Sequence, residues 1–586
     1  MKYLELLAPA RNTDIGIAAI DCGADAVYIG GPGFGARKDA GNPLSEIKRL
    51  CSYAHNFGAR IFLTVNVTLE DSQMREVHDL MLQAQEAGVD AFIVRDPIIN
   101  TWDDITVPLH ASTQCALRDV AKAKEYAAMG FSRLVLERQL SLEQVRQIAE
   151  ATGAELEFFV HGALCTGYSG DCYLSEALSG RSANKGECIQ ACRSLYDLVD
   201  SQGNILIKDK ALLSLKDFNL LPRLQDLAEA GVCSFKIEGR LKNASYVKNV
   251  VREYSIALDR LVEKYPDKYA RASFGKASGG FAPDSNKTFN RGYTQLFLDG
   301  KRGRWASMDA PKSMGECIGK VLSVQPAGKY NMRIAVKPLK GVSPLNNGDG
   351  FCFVNGHEIT GFRGDVCKDY EIQCKTISGL KPGATLYRNI NAAFEKELQA
   401  NMCRRLIPVG VDLQIRGDEA EGYHLQATAS SQDGRIVSSD FDIQAPAALN
   451  KERMEAMIQR QFSKTLSYYL INNKSITTEG SLPLLSASVL NGICRSLASD
   501  LDGLPCGRVP MGKAARPQGP VPKENAVPVN GELMRSKYCI RYELGLCPVH
   551  QGAHESGPLF LLNNGRRFAL GFDCRNCEMT VKRSDG

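Results

Sequence analysis

Eight of the nineteen cysteines in this chain fall into two groups of four. Cys165, Cys172, Cys188 and Cys192 form the first, and Cys539, Cys547, Cys574 and Cys577 the second. Four thiols suffice for one tetrahedral all-sulfur site, which suits zinc or an iron–sulfur cluster. Neither spacing matches a standard zinc finger or the bacterial ferredoxin run. Cys22, Cys51, Cys115, Cys317, Cys352, Cys367, Cys374, Cys403, Cys494 and Cys506 stand singly, mostly among apolar neighbours, and read as small buried hydrophobes. Hydrolytic motifs are missing. His357-Glu358 and His554-Glu555 lack a second His at the spacing of H-E-x-x-H, and Gln551 sits where the pair His550 and His554 would need a Glu. There is no G-x-S-x-G nucleophile elbow. A Cys nucleophile served by His161 stays open, because such partners need not be adjacent in sequence. A thiolate held by a metal is no nucleophile, however, so four clustered Cys beside one His fit a bound metal group better.

These residues need a frame. Apolar β-rich runs at 4–7, 26–29, 60–65, 91–94, 107–110, 133–136, 156–160 and 234–237 alternate with helix-length segments such as 71–87, 116–129 and 141–152. Gly23-Ala24-Asp25-Ala26, Gly88-Val89-Asp90-Ala91 and Gly231-Val232-Cys233-Ser234 each place a helix-closing glycine just before a strand. Eight strands with intervening helices predict a (β/α)8 TIM-like barrel, with a doubly wound sheet as runner-up. In a barrel, chemistry sits at the carboxyl ends of the strands. Those ends carry Asn66, Arg95, Asp96, His110, Ser112, Gln114, Glu137, Arg138, His161, Lys236, Glu238 and Arg240. The excursion from His161 to about Leu212 holds the first Cys group, which is therefore expected over the barrel mouth.

The barrel is assigned to 1–270, and a Gly-, Lys-, Arg- and Asn-rich connector to 271–314. Short β runs separated by glycine turns predict a small β-barrel at 315–400. An α+β domain follows at 401–506, then a Pro-, Gly- and Lys-rich linker at 507–532 and a Cys-rich tail at 533–586. The tail thiols suit a small zinc or iron–sulfur knuckle that folds with its metal.

At 586 residues the chain is long enough for several domains, and its 44% apolar content excludes wholesale disorder. No apolar run reaches the roughly 18–20 residues of a spanning helix. The start, Met1-Lys2-Tyr3-Leu4-Glu5-Leu6-Leu7-Ala8-Pro9-Ala10, interrupts the apolar stretch a signal peptide needs. A cytoplasmic protein with reduced thiols and no membrane partner is expected. The net charge of +5 favours nucleic acid only weakly. Local basic patches, Lys301-Arg302-Gly303-Arg304, Arg404-Arg405, Lys513 to Lys523, Arg566-Arg567 and Lys582-Arg583, all follow the barrel.

Several motifs are distinctive: Gly23-Ala24-Asp25-Ala26-Val27-Tyr28-Ile29-Gly30-Gly31, Phe159-Val160-His161-Gly162-Ala163-Leu164-Cys165, Ser169-Gly170-Asp171-Cys172, Cys188-Ile189-Gln190-Ala191-Cys192-Arg193 and Lys236-Ile237-Glu238-Gly239-Arg240. Over roughly residues 1–300 the chain resembles the collagenase-like peptidase family of unknown catalytic type, U-32. Its later segments and the tail Met534-Arg535-Ser536-Lys537-Tyr538-Cys539 resemble the long members of that family.

The resemblance implies an iron–sulfur-dependent RNA hydroxylase. The substrate it implies is a cytidine of 23S ribosomal RNA, converted to 5-hydroxycytidine, with prephenate as hydroxyl source. A collagenase-like peptidase and a hydroxylase of wobble uridine in transfer RNA are the alternatives. It further implies that Cys165, Cys172, Cys188 and Cys192 hold a 4Fe–4S cluster. Some relatives take a ligand from elsewhere, which makes Cys233 an alternative. A diacid donor calls for cations, so Arg95 and Arg138, with Gln114, are expected to bind substrate. His161, Glu238, Lys236 and Arg240 are expected in catalysis. An electron-delivery partner would complete the system.

Overall fold

The computed structural model of the protein describes residues 1–37, 40–309, 311–356, 358–512, 531–553 and 557–584. Its centre is a closed barrel of eight parallel strands. These are β1 (Lys2–Pro9), β2 (Ala26–Gly30), β3 (Arg60–Val65), β4 (Ala91–Val94), β5 (Leu109–Ala111), β6 (Arg133–Val135), β7 (Glu155–Gly162) and, as the eighth, Val232–Ile237. The last pairs with both β7 and β1, which closes the ring. Helices α1 (Thr13–Asp21), α2 (Leu44–His55), α3 (Met74–Glu86), α4 (Val120–Ala128) and α5 (Leu142–Thr152) cover the outside. Strands β2 to β6 are buried at every position. Burial on both faces is why parallel strands read as continuous apolar runs.

The barrel interior also holds charge. The Arg133 guanidinium pairs with Glu5 and, at 3.3 Å, with Glu157. Lys236 Nζ donates to Glu157 Oε1 at 2.6 Å. Leu7, Tyr28, Phe62, Ala91 and Ile93 form an apolar cluster, and Met511 packs on it. Residues 507–512 therefore do more than the predicted linker: Arg508 pairs with Asp90 at 2.6 Å and Gly512 N–H donates to Glu155 at 2.9 Å. Residues 513–530, with the Lys513 to Lys523 patch, lie outside the described residues.

The excursion between β7 and the eighth strand folds into short pieces: α6 (Leu174–Ser179), β8 (Tyr196–Val199), β9 (Ile205–Lys210) and β10 (Asp217–Asn219). Strand β10 runs antiparallel to β7. The β8–β9 hairpin extends a sheet built by the tail, through pairing of β8 with Leu559–Asn563. The tail is thus continuous with the loop that carries the first Cys group.

Residues 316–390 hold a seven-stranded antiparallel sheet around its own apolar core, and among the described residues no pairing joins its terminal strands. The connector also has structure: Lys276–Gly279 pairs with Cys403–Asp418 of the α+β domain, and Tyr293–Thr294 pairs with β10. The α+β domain shares the barrel's core cluster. Arg405 is buried there, with Nη1 donating to the Ala24 carbonyl at 2.6 Å, so it is no phosphate-gripping surface group. No helix among the described residues is long and apolar enough to cross a membrane.

Candidate active site

Loop geometry decides where the first thiols go. Gly162 ends β7 at φ +104, and a Cβ there would stand 2.7 Å from the Glu238 carbonyl oxygen. That approach, available to glycine, sets the start of the Cys loop beside Glu238. Gly170, at φ +85, abuts the Gln114 backbone so tightly that a Cβ would lie 2.1 Å from its carbonyl oxygen. Polar groups at the strand ends hold the rest. Glu137 Oε2 accepts from Ser169 N–H at 2.8 Å, and Arg95 Nη2 donates to the Gly170 carbonyl at 3.2 Å. Ser175 Oγ on α6 accepts from Ile189 N–H at 3.0 Å, which draws the Cys188 turn against the Cys172 turn. Arg193 donates to Leu164 O and Ser214 Oγ, both at 2.8 Å, beside Cys192.

Cys165, Cys172, Cys188 and Cys192 consequently line one cavity of about 230 Å3 at the carboxyl ends of the strands. Its charged walls are Arg37, Arg138, Arg193, Lys242 and Arg291 against a single carboxylate, Glu238. Arg138 makes the central contact. Its Nη2 lies 3.2 Å from Glu238 Oε2, its Nη1 donates to Ser169 Oγ at 3.2 Å, and the guanidinium stacks 3.7 Å over Phe159. Burial pushes the Glu238 carboxyl up, but the combined fields of Arg37, Arg138, Arg240 and Lys236 outweigh it and hold the group below its ordinary range. Glu238 is an anion at neutral pH.

The donor set fits a thiolate-held cluster. The four cysteines line one cavity, whose cations would balance the negative charge of such a group. As the side chains stand, no three His, Cys, Asp or Glu groups among the described residues are placed to hold a metal ion, so loading requires the thiols to turn inward. Burial raises the Cys172 and Cys188 thiols. Binding a metal must therefore release protons.

Other expected residues lie elsewhere. Cys233 is the clearest correction. It is the second residue of the eighth strand, and its Sγ faces the Leu156 carbonyl at 3.4 Å. At about 3.3 Å per residue, five residues separate it from Glu238 along the strand, so it belongs to the opposite end of the barrel. Lys236 and Arg240 do not line the cavity. Lys236 is held inside the barrel by Glu157, and Arg240 Nη1 donates to Thr64 Oγ1 at 2.6 Å. Their reach to Glu238 is electrostatic. Arg95 serves the loop backbone. His161 is enclosed by the rings of Tyr246, Tyr254 and Tyr293, with Nδ1 3.4 Å from Tyr254 Oη and Nε2 unpartnered. Burial, then the Lys242 charge, lowers its pKa to about 3, so it is a neutral, caged imidazole.

A model of Peptidase family U32 matches residues 11–307. The chain belongs to this family. The U32 segment contains every residue lining the cavity except Met534. The 23S rRNA 5-hydroxycytidine synthase of Escherichia coli is 36% identical to this U32 protein, over 99% of this chain and 94% of that one. A protein named uncharacterized protease from Methanocaldococcus jannaschii is 31% identical, over 67% of this chain and 96% of its own. A tRNA hydroxylation protein of Bacillus subtilis is 33% identical, over 55% of this chain and 78% of its own.

Reading the sequence of this U32 chain missed Arg37, Arg193, Lys242, Arg291 and Met534. Arg193 directly follows Cys192, and Arg291 belongs to the polar run Asn290-Arg291-Gly292-Tyr293-Thr294, so both lay inside noticed segments. Arg291 is drawn to the site by Asp217 of β10, at 2.8 Å. Arg302, from another basic patch, gives its guanidinium to the carbonyls of Lys537 and Cys577 in the tail.

Proposed function

We propose that this protein is an iron–sulfur-dependent RNA hydroxylase that forms 5-hydroxycytidine in 23S ribosomal RNA, with prephenate as the hydroxyl source. The carrying observation is the 36% identity to the Escherichia coli synthase across 99% of the chain. That span includes the sheets and tail beyond the segment shared with shorter relatives. The thiol-lined, strongly cationic cavity supports the same reading. In it Cys165, Cys172, Cys188 and Cys192 would hold the cluster, which when bound would pass the two electrons released as C5–H becomes C5–OH to an external acceptor.

The chain's own residues account for binding. A dicarboxylate meets Arg138, Arg37, Lys242 and Arg291, and Arg forks suit carboxylates in two-point contact. Glu238 keeps Arg138 oriented and, as an anion, can accept a proton from the substrate base. A pyrimidine must be single-stranded or flipped out to enter. A peptidase reading finds less support: His161 is caged by tyrosines, away from the cavity wall.

Expression of this chain in a bacterium lacking its own hydroxycytidine synthase tests the proposal. Restored 5-hydroxycytidine in digested ribosomal RNA is the expected result, and persistent unmodified cytidine would sink the assignment. The site also predicts a pH limb. Burial lowers Lys242 to about 8 despite the opposing Asp217 charge. Its cation is present below that pH and lost above it, so dicarboxylate affinity should fall as pH rises through about 8. Calorimetric titration from neutral to alkaline pH should record this fall in the wild type and a flatter profile in Lys242→Met.

A further inference from the structure

The tail holds a second group of thiols that the barrel chemistry does not use. Cys539 immediately precedes the short helix Ile540–Glu543, and Cys547 precedes Pro548–Gln551. Cys574 and Cys577 sit on the turn joining strands Arg566–Asp573 and Glu578–Arg583, with Cys577 in the left-handed region at φ +52. Three separate pieces of chain thus bring four thiols to the wall of one cavity, together with His550. His550 Nε2 lies 3.1 Å from Cys577 Sγ. Arg302 and Arg541 also line the cavity.

Size separates this site from the one at the barrel mouth. The tail cavity has about 20 Å3, against about 230 Å3 for the other. Twenty cubic ångströms is room for roughly one water-sized body, which suits a single ion. We propose that the tail binds one zinc ion through Cys539, Cys547, Cys574 and Cys577. His550 donates to the Cys577 sulfur and fixes its orientation, as partners of ligand atoms commonly do. Zinc with four thiolates carries two negative charges, and the cavity wall sets Arg302 and Arg541 beside it together with the carboxylates Asp573 and Glu578. The thiols must turn inward to reach Zn–S distances of about 2.3 Å. In doing so they expel their protons, so the ion displaces hydrogen ions and no redox step is involved.

The site lies where it can fasten the tail over the barrel mouth. Its neighbouring strand Glu532–Ser536 runs into the Cys165–Cys172 loop: Tyr168 N–H donates to the Arg535 carbonyl at 2.9 Å and Tyr173 N–H to the Leu533 carbonyl at 2.7 Å. Met534 from this strand lines the barrel-mouth cavity, and Gly167 leaves space for it, since a Cβ there would stand 2.5 Å from Met534 Cγ. Zinc in the tail would therefore brace the loop that carries two of the barrel thiols.

Metal analysis of the full-length protein purified without chelators tests the site independently of the hydroxylase reading. One zinc per chain is expected in the wild type and in Cys188→Ser, and none in the double variant Cys574→Ser, Cys577→Ser. Zinc retained by the double variant would overturn the proposal, as would its loss in Cys188→Ser. X-ray absorption at the zinc edge needs no variant. Four sulfur neighbours at about 2.3 Å are expected, whereas a nitrogen and oxygen shell would contradict the assignment. A wild-type protein free of zinc, with iron in the tail, would replace it by a second cluster.

Discussion

Cys188→Ser should yield a folded protein that has lost its cluster iron and all RNA hydroxylation. Cys188 is half-buried on a turn above the barrel and contributes nothing to the apolar core, so the barrel should survive the change. A serine hydroxyl is a hard, weakly acidic donor and a poor replacement for a thiolate at an iron–sulfur site. The matched control is Cys233→Ser, which alters a thiol at the opposite end of the eighth strand and should keep its iron. Iron and sulfide determination on anaerobically purified samples checks both. Equal iron in Cys188→Ser and the wild type would remove the first Cys group from the account.

Arg138→Leu should weaken binding of the anionic co-substrate strongly while leaving iron content intact. Arg138 lies between Glu238 and the Cys loop, and Phe159 holds its guanidinium plane. A hydrogen bond to a charged group is worth about 1.5–3 kcal/mol. Loss of that contact corresponds to a roughly tenfold to hundredfold weaker Kd at about 1.4 kcal/mol per decade. Arg138→Lys should recover only part of the loss, because lysine keeps the charge but not the planar fork. Calorimetric titration of prephenate into the three proteins is the measurement. Unchanged affinity in Arg138→Leu would place the anion elsewhere.

The sequence made the barrel legible for a simple physical reason. Parallel strands buried on both faces read as short apolar runs, and the glycines before them mark helix ends, so all eight strands stood out. The first Cys group was legible because its four members lie on one excursion after β7. Convergence from distant segments was not. Arg37 follows β2, Arg291 comes from a polar stretch beyond the barrel, and Met534 comes from the tail; each reaches the cavity through contacts with no local signature. Asp217 and the β8–β9 hairpin, which draw Arg291 and the tail inward, are likewise far in sequence from what they hold. Residues 507–512 carry Pro and Gly, and the composition suggested a linker, yet Arg508 and Met511 dock on the barrel. Cys233 stands at the start of the eighth strand, and strand polarity puts its side chain at the end away from the Cys loop.

The charged strand ends divide into two kinds for the same reason. Glu137 and Arg95 are buried supports that each hydrogen-bond the backbone of the Cys loop, and Glu137 also accepts from Arg138 N–H. Arg138 and Glu238 face the cavity and each other. Sequence position alone gives both kinds the same address, and only the direction of the side chain separates them.

The most direct test of the central claim is a single-turnover reaction. The anaerobically purified, iron-loaded protein is incubated with unmodified 23S ribosomal RNA, prephenate and a two-electron acceptor, and the nucleosides are then resolved by mass spectrometry. The account predicts a cytidine heavier by one oxygen atom, formed by the wild type and not by Cys188→Ser. Unmodified cytidine throughout, with iron loading verified, would contradict it.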